Sequence, residues 1–192
     1  MTRMRLRAEF TDDDGERQKW FHALEELNAI ADSAICLVNE ETAPDNFYRI
    51  DFDALRDQII TELKDLDYKV SAVSLPHLQV KAGSIALKRA LHNLIINAAT
   101  HGGGAAVEMV ECKQQAELTI LDHGPGIPEH LLGQVLEPFF RVEMARRKTV
   151  PGAGLGLAIA KEIIERAGGG IRIANRESGG LLQCVTLPIV TA

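Results

Sequence analysis

Residues 83–101 restrict the fold of this chain more than any other stretch. Apolar residues recur there on one helical face, and three consecutive glycines follow His101. This pattern predicts a long helix with a broad buried face, and glycine is typical of the position after a helix end. The residues predicted to be buried are Ile85, Leu87, Ala90, Leu91, Leu94, Ile95 and Ala98. Other elements must cover such a face, so the chain should contain a packed core.

The sequence around this helix alternates between helical and strand-like patterns. Helical spacing predicts further helices over 52–66, 128–135 and 154–167. Strand-like runs occur at 47–50, 105–110, 116–121, 170–174 and 181–188, and two shorter apolar segments lie at 70–75 and 78–80. The order of these elements predicts an α+β fold in which helices pack on one face of a mixed sheet.

The first 42 residues have a different pattern. Residues 1–10 predict a short helix and residues 15–41 a longer one, with turn-forming residues between them. Apolar residues of the longer helix follow a heptad pattern, at Trp20, Leu24, Leu27, Ala31, Ala34 and Val38. We therefore expect a partial helical hairpin over 1–42, a linker over 43–46 and a separate domain over 47–192.

Composition excludes several classes of protein. The 192 residues are 46% apolar, which is enough for a core, and the net charge of −6 argues against a nucleic-acid partner. The three cysteines form no C-x-x-C pair, which argues against a zinc site or a disulfide framework. The same cysteine usage favours a reducing cytoplasm, and no apolar run is long enough to cross a membrane, so we expect a cytoplasmic chain without membrane contact.

Two sets of residues near the middle of the chain are candidate ligands. Asn93 and Asn97 are four residues apart on one helix, so they share a face, and amide oxygens suit Mg²⁺. Asp122 follows an apolar strand and precedes Gly124 and Gly126, which would let a flat ring approach the backbone. Both patterns also have a simpler interpretation. The two asparagines would then be part of a polar stripe on the helix surface, and the acid-glycine segment would be an ordinary turn.

A basic segment and a glycine-opened helix follow. Phe139, Phe140 and Arg141 precede a basic cluster at 146–148, and Gly152, Gly154 and Gly156 open the next helix. Free amide groups and the positive end of the helix dipole favour an anion there, which predicts a phosphate site. For the basic cluster, a solvated loop is an equally good interpretation.

The order of these motifs resembles that of bacterial two-component sensor histidine kinases. The asparagine helix resembles their N box and the acid-glycine turn their G1 box. The phenylalanine pair resembles the F box, and the glycine-opened helix resembles the G2 box. The resemblance covers about residues 47–190. It implies the two-layer α/β sandwich that binds ATP in gyrase, the 90-kilodalton heat-shock chaperones, histidine kinases and MutL. It also implies the corresponding function, ATP-dependent phosphorylation of a histidine.

The resemblance also implies roles for individual residues. The cofactors would be ATP and Mg²⁺, with Asn93 and Asn97 as metal ligands and Asp122 bound to the adenine amino group. Residues 141–153 would form a mobile lid, with Arg141 as its phosphate contact. The implied nucleotide-binding residues are Asn93, Asn97, His101, Asp122, Gly124, Gly126, Ile127, Phe140, Arg141, Gly152, Gly154, Leu155 and Gly156.

Residues 2–6 resemble those that follow the H box in osmosensor-type kinases, so residues 1–42 would be a dimerisation hairpin that begins after this box. None of the six histidines fits the box, and no proline precedes Pro44. We therefore expect no catalytic residue and no self-phosphorylation in this chain, and a homodimer weakened by truncation. The parent protein would be an inner-membrane sensor that acts on a response regulator.

Three positions depart from the family pattern. Thr100 stands where lysine or arginine is common, His101 replaces a tyrosine, and Ala153 replaces a threonine. Two alternatives therefore stay open. An anti-sigma-factor-type serine kinase shares the ATP fold without an H box, although the heptad helix argues against it. The second alternative is a non-catalytic interaction module that binds a nucleotide.

Overall fold

The structure is a computed structural model that describes residues 47–73, 77–142 and 154–190. It also describes Gly15, Glu16, Arg17, Trp20, Phe21, Leu24, Leu27, Ala31 and Ile35, all with helical backbone. This confirms the predicted helix at those positions. The predicted helix over 1–10, the linker over 43–46, and Ala34 and Val38 of the heptad pattern lie outside the described residues.

The described domain contains three α-helices, one 3₁₀ helix and seven strands. The helices are α1 (Phe52–Asp65), α2 (Ser84–Gly102) and α3 (Gly156–Arg166), and the 3₁₀ helix is Glu129–Gln134. The strands are β1 (Tyr48–Asp51), β2 (Val70–Ala72), β3 (Gln79–Ala82), β4 (Ala105–Cys112), β5 (Gln115–Asp122), β6 (Gly170–Asn175) and β7 (Leu181–Pro188).

Five strands form one sheet in the order β2-β4-β5-β7-β6, and β1 pairs with β3 in a separate antiparallel ribbon. Strands β2 and β4 are parallel, whereas the other neighbours in the large sheet are antiparallel. The predicted mixed sheet is therefore confirmed. The register pairs Asp122, the last residue of β5, with Ala105, the first residue of β4.

The core lies between the large sheet and the helices. Every second residue of β5 is buried, and Ala116, Leu118 and Ile120 are fully covered. The face of α2 that covers the sheet contains Leu87, Ala90, Leu91, Leu94, Ile95 and Ala98, each of which is fully buried. This confirms the α+β fold and the two-layer sandwich with helices on one face.

One residue of the predicted stripe does not belong to it. Ile85 is 79% exposed, whereas Leu87 is fully buried. At 3.6 residues per turn, two residues along a helix correspond to about 200°, so Ile85 projects away from the face that Leu87 occupies. The prediction for Ile85 was wrong because spacing of two belongs to strands, not to helices.

The predicted helix over 128–135 is a 3₁₀ helix over Glu129–Gln134, and none of its residues is buried. The Leu131 amide donates to the Pro128 carbonyl at 2.8 Å, an i→i+3 bond that tightens this turn. A short segment without a buried face gains little from α-helical packing, so a turn of this kind suffices.

A buried ion pair supports the start of α1. Arg56 is 1% exposed, and its guanidinium lies 3.3 Å from Asp53 and 2.9 Å from Asp57. Asp53 also accepts a hydrogen bond from the Leu78 amide at 2.8 Å, and Asp51 caps the helix by accepting from the Ala54 amide at 3.0 Å. One carboxylate oxygen of Asp51, one of Asp53 and a ring nitrogen of His77 lie within 4.8 Å of one another. The contacts described above account for the positions of both carboxylates.

Among the described residues, no helix has the length and the apolar composition that a membrane span requires.

Candidate functional site

Asp122 is a buried carboxylate at the end of the central strand β5, with only 3% of its surface exposed. Its Oδ1 accepts hydrogen bonds from the amides of Gly124, at 2.8 Å, and Leu181, at 3.0 Å. Both bonds reach the same oxygen. The side chain is therefore fixed in direction, and a carboxylate can accept further hydrogen bonds through its second oxygen.

The C-terminal end of α2 packs directly against Asp122 and the turn that follows it. A Cβ atom at Gly102 would lie 2.3 Å from the Cβ of Asp122, and one at Gly124 would lie 2.9 Å from the His101 carbonyl oxygen. Only glycine fits such contacts without a shift of the backbone. Gly102 was expected only as a helix terminus, whereas the structure also gives it this packing role.

Asn93 links α2 to α3. Its Nδ2 donates to the Gly156 carbonyl oxygen at 3.2 Å, across 63 residues of sequence. Asn97 lies one turn further along the same side of α2, and both side chains are partly exposed. Because Nδ2 of Asn93 is engaged, its Oδ1 is the atom left to bind a cation.

His101 lies in the last turn of α2, close to Asp122 and Arg141. Desolvation of the packed part of the ring and the nearby Arg141 charge lower the pKa of His101 below 6.5, although Asp122 opposes the shift. The residue as a whole is exposed at the surface. The shift favours the neutral imidazole, and the position of His101 at the helix end puts the ring beside the Asp122 turn.

The segment before the predicted lid is tied to the segment after it. The Phe139 amide donates to the Gly154 carbonyl at 3.0 Å, and both residues have positive φ, 64° and 70°. A Cβ at Gly154 would lie 2.8 Å from the Phe140 carbonyl oxygen, and Arg141 lies alongside. Positive φ is unusual for phenylalanine, and such outliers often occur at functional sites. Gly152, the cluster at 146–148 and most of the predicted lid lie outside the described residues.

Helix α3 begins beside Asn93. Leu155 precedes its first turn and is 1% exposed, and no side chain caps this end of the helix. First-turn amides without a side-chain cap are suited to an anion, and the helix dipole adds to the attraction. Gly154, Leu155 and Gly156 thus lie next to the asparagine side of α2, as the predicted phosphate site requires.

The structure adds residues that the sequence did not indicate. Asn175 and Arg176, at the end of β6, hydrogen-bond to Ile127 and to Asp122 respectively. A Cβ at Gly180 would lie 2.1 Å from the Asp122 carbonyl oxygen. These contacts span more than 45 residues of sequence, so local patterns contain no signal for them. The adjacent glycines at 179 and 180 were the only hint of a close approach.

A family model for "Histidine kinase-, DNA gyrase B-, and HSP90-like ATPase" matches residues 82–191, which is more than half of the chain. The chain belongs to this family. The match includes every predicted site residue, from Asn93 to Gly156. It therefore confirms the family that the order of the motifs indicated.

A curated relative of this chain is named a sensor histidine kinase. The chain is 33% identical over 188 residues to the sensor histidine kinase GtrS of Pseudomonas aeruginosa, covering 98% of this chain and 39% of GtrS. It therefore spans about two fifths of the length of that relative. The family match and this relative favour the histidine kinase interpretation over the anti-sigma-factor-type serine kinase.

Two solved structures are similar in fold to this chain. The mycobacterial sensor histidine kinase MprB is similar with a TM-score of 0.65 and 28% identity, over 76% of this chain and 99% of that chain. The ATP-binding domain of PrrB from Mycobacterium tuberculosis is similar with a TM-score of 0.63 and 26% identity, over 77% of this chain and all of that domain.

Proposed function

We propose that this domain binds Mg·ATP and supplies the γ-phosphoryl group that a sensor histidine kinase transfers to a histidine. The observation that carries the proposal is the Asp122 carboxylate, which is buried at the strand end and held in direction by two amide hydrogen bonds to Oδ1. A carboxylate oriented in this way can accept a hydrogen bond through its second oxygen, and the exocyclic amine of adenine would donate it.

The base would lie against the turn that follows Asp122. Gly124 and Gly126 lack side chains, so a flat ring can approach the backbone closely, and Ile127 supplies an apolar surface. His101, at the end of α2, would flank the base as a neutral ring. Its lowered pKa supports this role, because an uncharged imidazole stacks on a base without a desolvation cost for charge.

The phosphates would lie at the start of α3. Gly152, Gly154, Leu155 and Gly156 would offer backbone amides to the phosphate oxygens. Arg141 would neutralise part of their charge through a charge-assisted hydrogen bond. Phe140 would close the site between the base and the phosphates, next to the residues that precede the lid.

Asn93 and Asn97 would hold Mg²⁺. Their amide oxygens are the hard ligands that this ion prefers, and the bond from Nδ2 of Asn93 to Gly156 fixes the direction of that side chain. Bound there, the ion would neutralise charge on the phosphate oxygens as transfer proceeds. Two protein ligands agree with the usual pattern in which water and phosphate complete the coordination.

In the transfer step, a histidine ring nitrogen would attack the γ-phosphorus in line. The bond from phosphorus to the β,γ-bridging oxygen breaks, ADP leaves with the electron pair, and the nitrogen loses its proton. Since none of the six histidines fits the acceptor pattern, the acceptor would be on another polypeptide segment, and we infer no self-phosphorylation by these 192 residues. The phosphoryl group would then pass to a response regulator in the cytoplasm, from a kinase held at the inner membrane.

Homodimerisation is a further part of the proposal. Trp20, Leu27 and Ile35 lie on the helical segment before the domain, and each is more than half exposed. Burial of such side chains against a second copy would remove apolar surface from water. Sedimentation of the chain and of a Leu27→Glu variant tests this, because the charge should shift the equilibrium toward the monomer.

The decisive experiment is a calorimetric titration of Mg·ATP into the chain and into Asp122→Ala. We expect binding by the wild type and at least about a tenfold weaker affinity for the variant. Equal affinities would contradict the proposed base pocket. Incubation with γ-labelled ATP and a separate H-box hairpin should give acid-labile label on the hairpin. Acid-stable label on a serine would indicate the anti-sigma-factor-type alternative.

A further inference from the structure

Asn175 binds both backbone groups of one residue in the loop that follows Asp122. Its Oδ1 accepts a hydrogen bond from the Ile127 amide at 2.9 Å, and its Nδ2 donates to the Ile127 carbonyl at 2.6 Å. The two residues are 48 positions apart in the sequence. An asparagine amide suits this geometry because it carries one acceptor and one donor side by side.

Gly126 adapts the loop to this side chain. A Cβ atom at Gly126 would lie 2.7 Å from Oδ1 of Asn175, and the residue has a φ of 73°. Both facts exclude an ordinary side chain at this position. The path of the loop and the position of the Asn175 amide are thus fitted to each other.

The turn after Asn175 holds Asp122 as well. The guanidinium of Arg176 donates to the Asp122 carbonyl, and the Leu181 amide donates to Asp122 Oδ1 at 3.0 Å. Arg176 and Leu181 therefore contact Asp122, whose carboxylate would bind adenine, and Asn175 contacts the loop that would lie beneath the base.

Residues 125–129 of the loop and residues 175, 176, 179 and 180 line a cleft of about 460 Å³. Side chains packed across a filled interface would hold the loop without specific hydrogen bonds. Because the cleft is not filled in this way, the two Asn175 bonds carry a larger share of the connection.

We propose that Asn175 is a positioning residue for nucleotide binding, which fixes the peptide groups of Gly126 and Ile127 and thereby the surface on which adenine rests. This inference rests on the proposed function of the site. The phosphates would lie at the start of α3, whereas the Asn175 amide binds Ile127 in the loop beneath the proposed base. Its loss should therefore weaken ATP and ADP by the same factor, because both ligands share the base.

The test uses the full chain with Asn175→Ala, Asn175→Asp and the control Glu177→Ala, which changes an exposed residue in the same turn. Affinities for Mg·ATP and Mg·ADP are measured by calorimetry, and exchange of the Ile127 amide hydrogen is followed by NMR without nucleotide. For Asn175→Ala we expect about tenfold weaker binding of both nucleotides, an unchanged ratio between them, and about tenfold faster exchange at Ile127.

Asn175→Asp keeps the acceptor for the Ile127 amide but places a second oxygen against the Ile127 carbonyl. It should slow Ile127 exchange relative to the alanine variant while nucleotide affinity stays low. Wild-type affinity in Asn175→Ala, with or without faster exchange, would overturn the inference while the site itself stands. Absence of binding by the wild type would overturn the proposed site and this inference together.

Discussion

Gly102, the last residue of α2, lies so close to Asp122 that a Cβ atom at position 102 would be 2.3 Å from the Asp122 Cβ. The helix that carries the two asparagines and the strand that carries the buried carboxylate thus meet at one glycine. The distance between the proposed metal ligands and the proposed adenine ligand depends on this contact.

Gly102→Ala should therefore weaken nucleotide binding. Alanine in a helix usually adds up to about 1 kcal/mol of stability relative to glycine, but forced overpacking costs about 1–3 kcal/mol. We expect net destabilisation in urea unfolding and about tenfold weaker Mg·ATP binding. Gly133→Ala is the matched control, since a Cβ there meets nothing within 4 Å. Wild-type affinity in Gly102→Ala would contradict the coupling of helix and carboxylate.

Asn97→Ala should weaken ATP binding only when magnesium is present. The amide oxygen is proposed to bind the metal, so we expect about a tenfold loss of affinity in Mg²⁺ and little change in EDTA. Thr100→Ala, an exposed change one turn further on the same helix, serves as the control. A similar loss in both conditions would mean that Asn97 supports the helix rather than the ion.

The free energy of unfolding should fall as the pH is lowered from about 6.5. Desolvation, chiefly, lowers the pKa values of His92 and His101 in the folded chain, so below the ordinary value of 6.5 the unfolded state binds more protons. His101→Gln should reduce this slope, because it removes one of the two groups whose pKa is lowered in the folded chain. Urea unfolding at several pH values measures it, and an identical slope in His101→Gln would refute the expectation.

Alanine substitutions at two positions of α2 should differ strongly in their effect on the free energy of unfolding. Leu94 is fully buried and Ile85 is 79% exposed. Leu94→Ala should cost about 2–5 kcal/mol of unfolding free energy, because it removes buried methyl groups and leaves a cavity. Ile85→Ala should change it by less than about 0.5 kcal/mol. Chemical denaturation of both variants checks the exposure of Ile85 directly.

Local patterns were sufficient for most of the secondary structure. The long helix was expected over 83–101 and extends over Ser84–Gly102, and the two central strands were expected within two residues of their bounds. The prediction placed Ile85 on the buried face because it considered that the residue is apolar, and not the angle of the residue around the helix axis. The segment after Pro128 was predicted as a helix, but without a buried face it forms a 3₁₀ turn.

The sequence by itself determined the α+β fold, the family and the order of the candidate ligands, because each of these depends on periodicity or on short motifs of neighbouring residues. The tertiary structure alone decided which oxygen of Asp122 is engaged, why position 102 must be glycine, and that Asn175 holds Ile127. These relationships join residues that are distant in sequence, and only strand register and helix packing bring their atoms within contact distance.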